Sequence, residues 1–147
     1  MENVELISLV TELKKKVDKI MDRVLKEVGL SKIQALVLIS IKNKEENTNC
    51  SVNDIVNEFE LNQGNTSSLL KRMEASGLIE KVRAKDDERR VELAITRKGQ
   101  NMLDEIYLKM EILKKKINDS YDLKRKNILI QGMKEMDNLL EFMLEEE

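Results

Sequence analysis

The sequence predicts a mainly α-helical chain with one small β-hairpin. Three observations predict it. The 147 residues contain no proline and only five glycines, so little interrupts a helix. Both ends of the chain repeat apolar residues at helical spacing. A single stretch, between Leu78 and Ile95, instead flanks a charged tip with short apolar segments, as paired strands do.

The elements follow in order. Leu6, Val10, Leu13, Val17, Ile20, Val24 and Val28 recur at spacings of three and four, a sustained heptad seam. Leu9, Met21 and Leu25 widen that seam, so the first helix packs against several others, and Gly29 ends it. Ser31 opens SKIQ, a capping box with Gln34. The apolar run Ile33, Leu36, Val37, Leu38, Ile39 and Ile41 makes the helix it starts a core element. Ser51 opens SVND, a similar start signal, before a short helix with Ile55, Val56 and Phe59. Asn62 caps a fourth helix that Gly77 closes. Leu78 and Ile79 lead into the first strand, and Val91, Leu93 and Ile95 alternate as a strand with one buried face. Thr96 caps a long helix from about Arg97 to Asn118, seamed by Ile106, Met110, Leu113 and Ile117. After a break at Asn118-Asp119-Ser120, a last helix carries Met133, Met136, Leu140 and Met143 or Leu144.

This order predicts a winged helix-turn-helix lobe over residues 31–96. Residues 1–30 and 97–147 flank it as a discontinuous helical dimerisation region. Three terminal helices carry more apolar seam than a small middle lobe can cover.

Composition removes several function classes. The chain has no histidine and one cysteine, which nearly excludes a zinc site and removes the commonest general base. No phosphate-binding glycine loop and no clustered carboxylate pair stands out, so an enzyme is not expected, nor a cofactor. No apolar run approaches the roughly 20 residues that span a bilayer. The N-terminus lacks the pattern of a signal peptide, so a cytoplasmic protein is expected. Cys50 has no basic neighbour in sequence to lower its pKa and reads as a buried structural thiol.

Net charge is −2, but its distribution is uneven. Residues 62–98 hold nine basic and six acidic side chains, so that segment is +3 and the rest of the chain −5. The +3 segment coincides with a helix rich in hydroxyls and amides, at Asn65, Thr66, Ser67 and Ser68, followed by Lys71 and Arg72. Such a face suits base edges and phosphates, and a basic hairpin suits the DNA backbone. The competing reading is a winged-helix protein–protein module that does not read DNA. A module of that kind exposes apolar or aromatic anchors on the helix after Asn62, where this chain has polar ones.

At these residues the chain resembles the MarR family of winged helix-turn-helix transcriptional regulators. The resemblance rests on Ser67–Leu70 followed by Arg72-Met73-Glu74-Ala75-Ser76-Gly77-Leu78-Ile79, on Asp87-Glu88-Arg89-Arg90, and on Ala94-Ile95-Thr96-Arg97-Lys98-Gly99. It covers about residues 31–100. It implies a homodimer with intertwined terminal helices, bound to double-stranded DNA at a pseudo-palindromic operator. It also implies regulation by a small molecule or by oxidation that changes the lobe spacing, with a repressor released by a small-molecule effector expected and the effector pocket lying between the dimer helices and the lobe.

Site roles follow from the resemblance and from helix geometry. Asn62 and Gly64 set the helix start against a phosphate. Gln63, Asn65 and Ser68 read bases, and Thr66 and Ser67 add a methyl or hydroxyl contact. Lys71 lies on the same basic surface. Arg72 either binds phosphate or braces the lobe through a carboxylate. Arg83, Lys85 and Arg90 are backbone contacts of the wing. Arg89 matches the family's minor-groove arginine, with Asp87 orienting it. Glu88 and Asp86 depart from the family's basic wing and predict weaker phosphate binding, unless they pair with Lys85 and Arg90.

Overall fold

The computed structural model describes residues 5–45, 50–59, 62–84, 87 and 89–146, without the side chains of Glu45 and Gln63. Its elements are α1 (Leu6–Val28), α2 (Lys32–Glu45), β1 (Cys50–Ser51), α3 (Val52–Phe59), α4 (Gln63–Ala75), β2 (Ile79–Arg83), β3 (Val91–Ile95), α5 (Arg97–Ser120) and α6 (Leu123–Glu145). The six helices stand where the apolar spacing predicts them.

The predicted starts are made by the predicted side chains. Ser31 and Gln34 cap α2 reciprocally: the Ser31 N–H donates to Gln34 Oε1 at 3.0 Å, and the Gln34 N–H to Ser31 Oγ at 3.3 Å. Ser51 and Asp54 do the same for α3, at 2.8 and 3.2 Å. The Ser51 backbone N–H, helped by its hydroxyl and by Lys44 and Arg90, holds the Asp54 carboxyl below the usual carboxylate range. At the end of α1, Gly29 takes φ 89°, and the N–H groups of Gly29 and Leu30 both reach the Leu25 carbonyl.

Two details depart from the sequence reading. The sheet has three antiparallel strands in the order β1–β3–β2, not a bare hairpin. Cys50 pairs with Leu93 and Ser51 with Glu92, while β2 and β3 run from Ile79↔Ile95 to Arg83↔Val91. A two-residue strand has no period to detect. In addition, α5 continues through Asn118, Asp119 and Ser120. The Ser120 hydroxyl donates back to the Lys116 carbonyl at 2.7 Å, one turn earlier, and so does not end the helix. The break lies at Tyr121 and Asp122, where Asp122 caps α6 by accepting the Arg125 N–H at 2.8 Å.

The chain divides into two compact units, Met1–Tyr107 and Leu108–Glu147. In the first, Val37, Leu38, Ile41, Ile55, Leu70, Met73, Ile79 and Leu103 are sealed from solvent. Val24, Leu25 and Val28 of α1 and Ile106 of α5 join that core, so it reaches past residues 31–96 at both ends. Toward its start, α1 exposes Leu6, Leu9, Leu13, Val17 and Ile20. Cys50 is wholly buried, as expected of a structural thiol, and its Sγ lies 3.7 Å from the Ser51 carbonyl oxygen. In the second unit, α6 buries none of its side chains. Among the described residues, no helix is long and apolar enough to cross a membrane.

Candidate nucleic-acid interface

The candidate surface starts at Asn62. Its side chain accepts the Asn65 N–H at 2.7 Å, and its carbonyl accepts the Thr66 N–H at 3.1 Å. Asn62 is thereby spent on capping, and the next turn of α4 is held in a fixed geometry. Gly64, Asn65, Ser68, Lys71 and Arg72 are all exposed, and their spacing sets them along one face of α4. Ser67 is half-buried at the edge of that face. For Gln63 the helix backbone is described but the side chain is not.

A Cβ on Gly64 meets only Asn62 Oδ1, at 3.5 Å, an ordinary contact. The fold itself therefore does not require glycine there, although glycine in a helix costs about 1 kcal/mol relative to alanine. Its absent side chain leaves the first turn of α4 open to close approach from outside.

Thr66 corrects the sequence reading. It is completely buried, and its hydroxyl donates to the Asn62 carbonyl at 3.0 Å. From there it offers a groove neither methyl nor hydroxyl. The signal was available: Thr66 lies three, four and seven residues before Leu69, Leu70 and Met73, the inward stripe of the same helix.

Arg72 and Lys71 make no ion pair among the described residues, so nothing there supports Arg72 as a brace. In the wing, the Asp87 carboxylate accepts the Arg89 backbone N–H at 3.0 Å, and the Asp87 carbonyl accepts the Arg90 N–H at 3.0 Å. These bonds shape the turn while the exposed Arg89 side chain stays outside it. Arg90 donates to Glu92 Oε1 at 3.0 Å, and that carboxylate's side chain is only 12% exposed. The sequence leaves open a pairing of Arg90 with Asp86 and Glu88, which lie outside the described residues. Glu92 is a partner the sequence reading does not name, two residues on, where extended backbone returns to the same face. Arg83 is exposed at the end of β2, facing Val91 in register. Lys85, Asp86 and Glu88 lie outside the described residues.

The far end of α4 is tied to the start of α5. Gly77 takes φ 75°, and the Leu78 N–H returns to the Met73 carbonyl at 2.9 Å, which closes the helix. Thr96 then lies across that end. Its N–H donates to the Leu78 carbonyl at 3.1 Å, and its Oγ1 lies 2.5 Å from the Gly77 carbonyl oxygen and 3.1 Å from that of Leu78. The same oxygen accepts the Gly99 N–H at 3.1 Å, capping α5 as predicted. Lys98 Nζ donates to the Ser76 carbonyl at 2.8 Å, a cation on the negative end of α4.

Comparison with known proteins agrees with this architecture. The family model for the SarA/Rot transcriptional regulators matches residues 19–106. The HTH-type transcriptional regulator BilQ of Clostridioides difficile (strain CD3) is 39% identical over 61 residues. That stretch spans 42% of this chain and only 41% of the relative's length. Among solved structures, a MepR mutant of S. aureus superposes with a TM-score of 0.83 at 16% identity, over 92% of this chain and 98% of that one. A MarR family protein from Bacillus stearothermophilus gives 0.75 at 18% identity, over 92% and 93%. The S. aureus MepR–DNA complex gives 0.73 at 18% identity, over 92% and 97%. The family and these relatives are regulators, not enzymes. With a MarR-like winged-helix fold and a family match over most of its length, the chain belongs to the SarA/Rot family of transcriptional regulators.

Proposed function

We propose that the chain is a homodimeric, sequence-specific DNA-binding regulator that represses transcription until a small-molecule effector releases it. The observation that carries the reading is the exposed face of α4. It combines an amide, a hydroxyl, a glycine that the fold does not need and two cations that make no ion pair among the described residues. Asn65 and Ser68 then read base edges, and the Gly64 backbone, Lys71 and Arg72 meet phosphates. Arg89 projects from a turn held by Asp87 and enters the minor groove. Arg83 and Arg90 lie along the backbone, with Arg90 positioned by Glu92. No apolar anchor shares this face of α4, which disfavours the protein–protein module. The likeness to MepR, which is solved with DNA, supports the same reading.

The dimer is supported by the exposed apolar side chains of α1 and by Ile128, Met133, Leu139 and Phe142 of α6. Residues 1–30 and 97–147 supply them. The repressor role and the effector rest on the MarR resemblance. The test is selection from a random DNA library followed by base-level footprinting. A dimer protects a pseudo-palindrome whose half-site centres lie about one helical turn, roughly 10 bp, apart. Recovery of no preferred sequence contradicts sequence-specific reading.

A further inference from the structure

We propose that Thr96 is a positioning residue for the recognition helix. With Lys98 and Gly99 it makes the C-terminal end of α4 and the first turns of α5 one rigid body, so that α4 is aimed by α5. The proposal rests on the reading of α4 as the DNA-contacting helix.

A helix end leaves its last carbonyls without partners inside the helix, and most are satisfied by water or a cap. Here the carbonyl of the α4 C-cap, Ser76, and those of Gly77 and Leu78 in the chain that leaves the helix are all met by residues 96–98 at the start of α5. Thr96 contributes twice, through its N–H and its hydroxyl, and that hydroxyl oxygen is also the cap of α5. One side chain thus belongs to the stop of α4 and the start of α5.

Gly99 removes the remaining freedom. A Cβ there lies 2.3 Å from the Leu78 carbonyl oxygen and 3.0 Å from the Ile95 side chain. The backbone of α5 therefore sits against the chain that leaves α4, closer than any other residue allows. The chain that leaves α4 and the first turn of α5 thus share hydrogen bonds and a close backbone contact. A rotation of α5 at this point carries the last turn of α4 with it.

The experiment compares wild type, Thr96→Val and Thr96→Ser. Valine keeps the shape and loses the hydroxyl, whereas serine keeps the hydroxyl. Two measurements are made on the full-length protein well below its melting temperature. Amide hydrogen exchange reads Ser76, Gly77, Leu78 and Gly99, and fluorescence anisotropy reads affinity for the footprinted duplex. Thr96→Val is expected to speed exchange at all four amides and to weaken duplex binding by about tenfold, the scale of one lost hydrogen bond to a partly buried group. Thr96→Ser is expected to restore both to within about twofold of wild type. A merely structural threonine lowers the melting temperature of the valine variant but leaves its duplex affinity unchanged, and that result overturns the proposal. So does exchange that rises only at Gly99, because α4 then does not feel the loss. If the wild-type protein binds no duplex, the DNA reading of α4 fails with it, and the proposal as a positioning role for DNA is overturned. The exchange pattern then separately reports whether the two helix ends are joined.

Discussion

Helices α2 and α6 both carry dense apolar residues, yet they meet opposite fates. In α2, Ala35, Val37, Leu38 and Ile41 are buried within the lobe. In α6, 23 residues long, no side chain is buried, and Ile128, Leu129, Ile130, Met133, Leu139, Phe142 and Met143 are exposed. An apolar pattern reports that a face is to be covered without saying by which chain. Isolated apolar residues on a surface are ordinary, but a run of them along one long helix marks an interaction face. The lobe closes its core within one chain, whereas α6 and the first turns of α1 expose apolar side chains, the surface we propose for a second copy.

The largest expected effect falls on that surface. The double substitution Met133→Asp and Phe142→Asp, both at positions more than half exposed, leaves a monomeric fold untouched but puts charges into a dimer interface. Sedimentation at micromolar concentration is expected to show wild type at about twice 17.1 kDa and the double variant at 17.1 kDa. A folded wild-type monomer breaks the comparison, because α6 then has no partner.

Inside the lobe, Leu38→Ala empties a fully buried site and is expected to cost about 2–5 kcal/mol, read as a lower urea midpoint. The same truncation at exposed Leu139 of α6 is expected to cost far less once dimerisation is held constant. Gly99→Ala is the intermediate case. Its methyl group meets the Leu78 backbone oxygen and is expected to destabilise by about 1–3 kcal/mol, because backbone cannot move aside as a flexible side chain can.

Much of this was legible in the sequence because the signals are local. Ser31 with Gln34, Ser51 with Asp54, and Asn62 with the amide of Asn65 each act within one turn, and each forms as read. Gly29 and Gly77 mark stops because only a left-handed residue ends those helices cheaply, and both have positive φ. What was not legible depends on partners distant in sequence. Cys50 and Ser51 form a strand only because Leu93 and Glu92 come to lie beside them. Lys98 finds the Ser76 carbonyl 22 residues away. Thr66 was misassigned by its chemistry, since a hydroxyl suggests water or DNA. Its spacing from Leu69, Leu70 and Met73 shows the face it takes. On the candidate DNA surface, the exposed positions of α4 follow from helical period, but the tethering of Arg90 to Glu92 required the shape of the wing.

The smallest expected effect is a titration. The Asp54 carboxyl is held low in the folded chain by the Ser51 N–H. A depressed folded pKa gives stability that is fully present above the unfolded value of 3.8 and is lost as pH falls through the folded value. Asp54→Asn is therefore expected to reduce stability at neutral pH and to flatten its decline below about pH 4. Urea midpoints at pH 7 and pH 3 check this, and equal differences from wild type at the two pH values contradict it.

The central claim is that α4 reads sequence while the wing holds the backbone. A fluorescence-anisotropy salt titration on matched and scrambled duplexes tests it most directly, using wild type, Asn65→Ala, Ser68→Ala and Arg89→Ala. Asn65→Ala and Ser68→Ala are each expected to cost roughly 1–3 kcal/mol on the matched duplex and little on the scrambled one. Arg89→Ala is expected to weaken binding to both, and most on matched sites with A·T-rich flanks. It should also reduce the log–log salt slope by about one per subunit. If Asn65→Ala and Arg89→Ala both bind like wild type at every salt concentration, the helix–wing assignment is contradicted and the exposed face of α4 serves another partner.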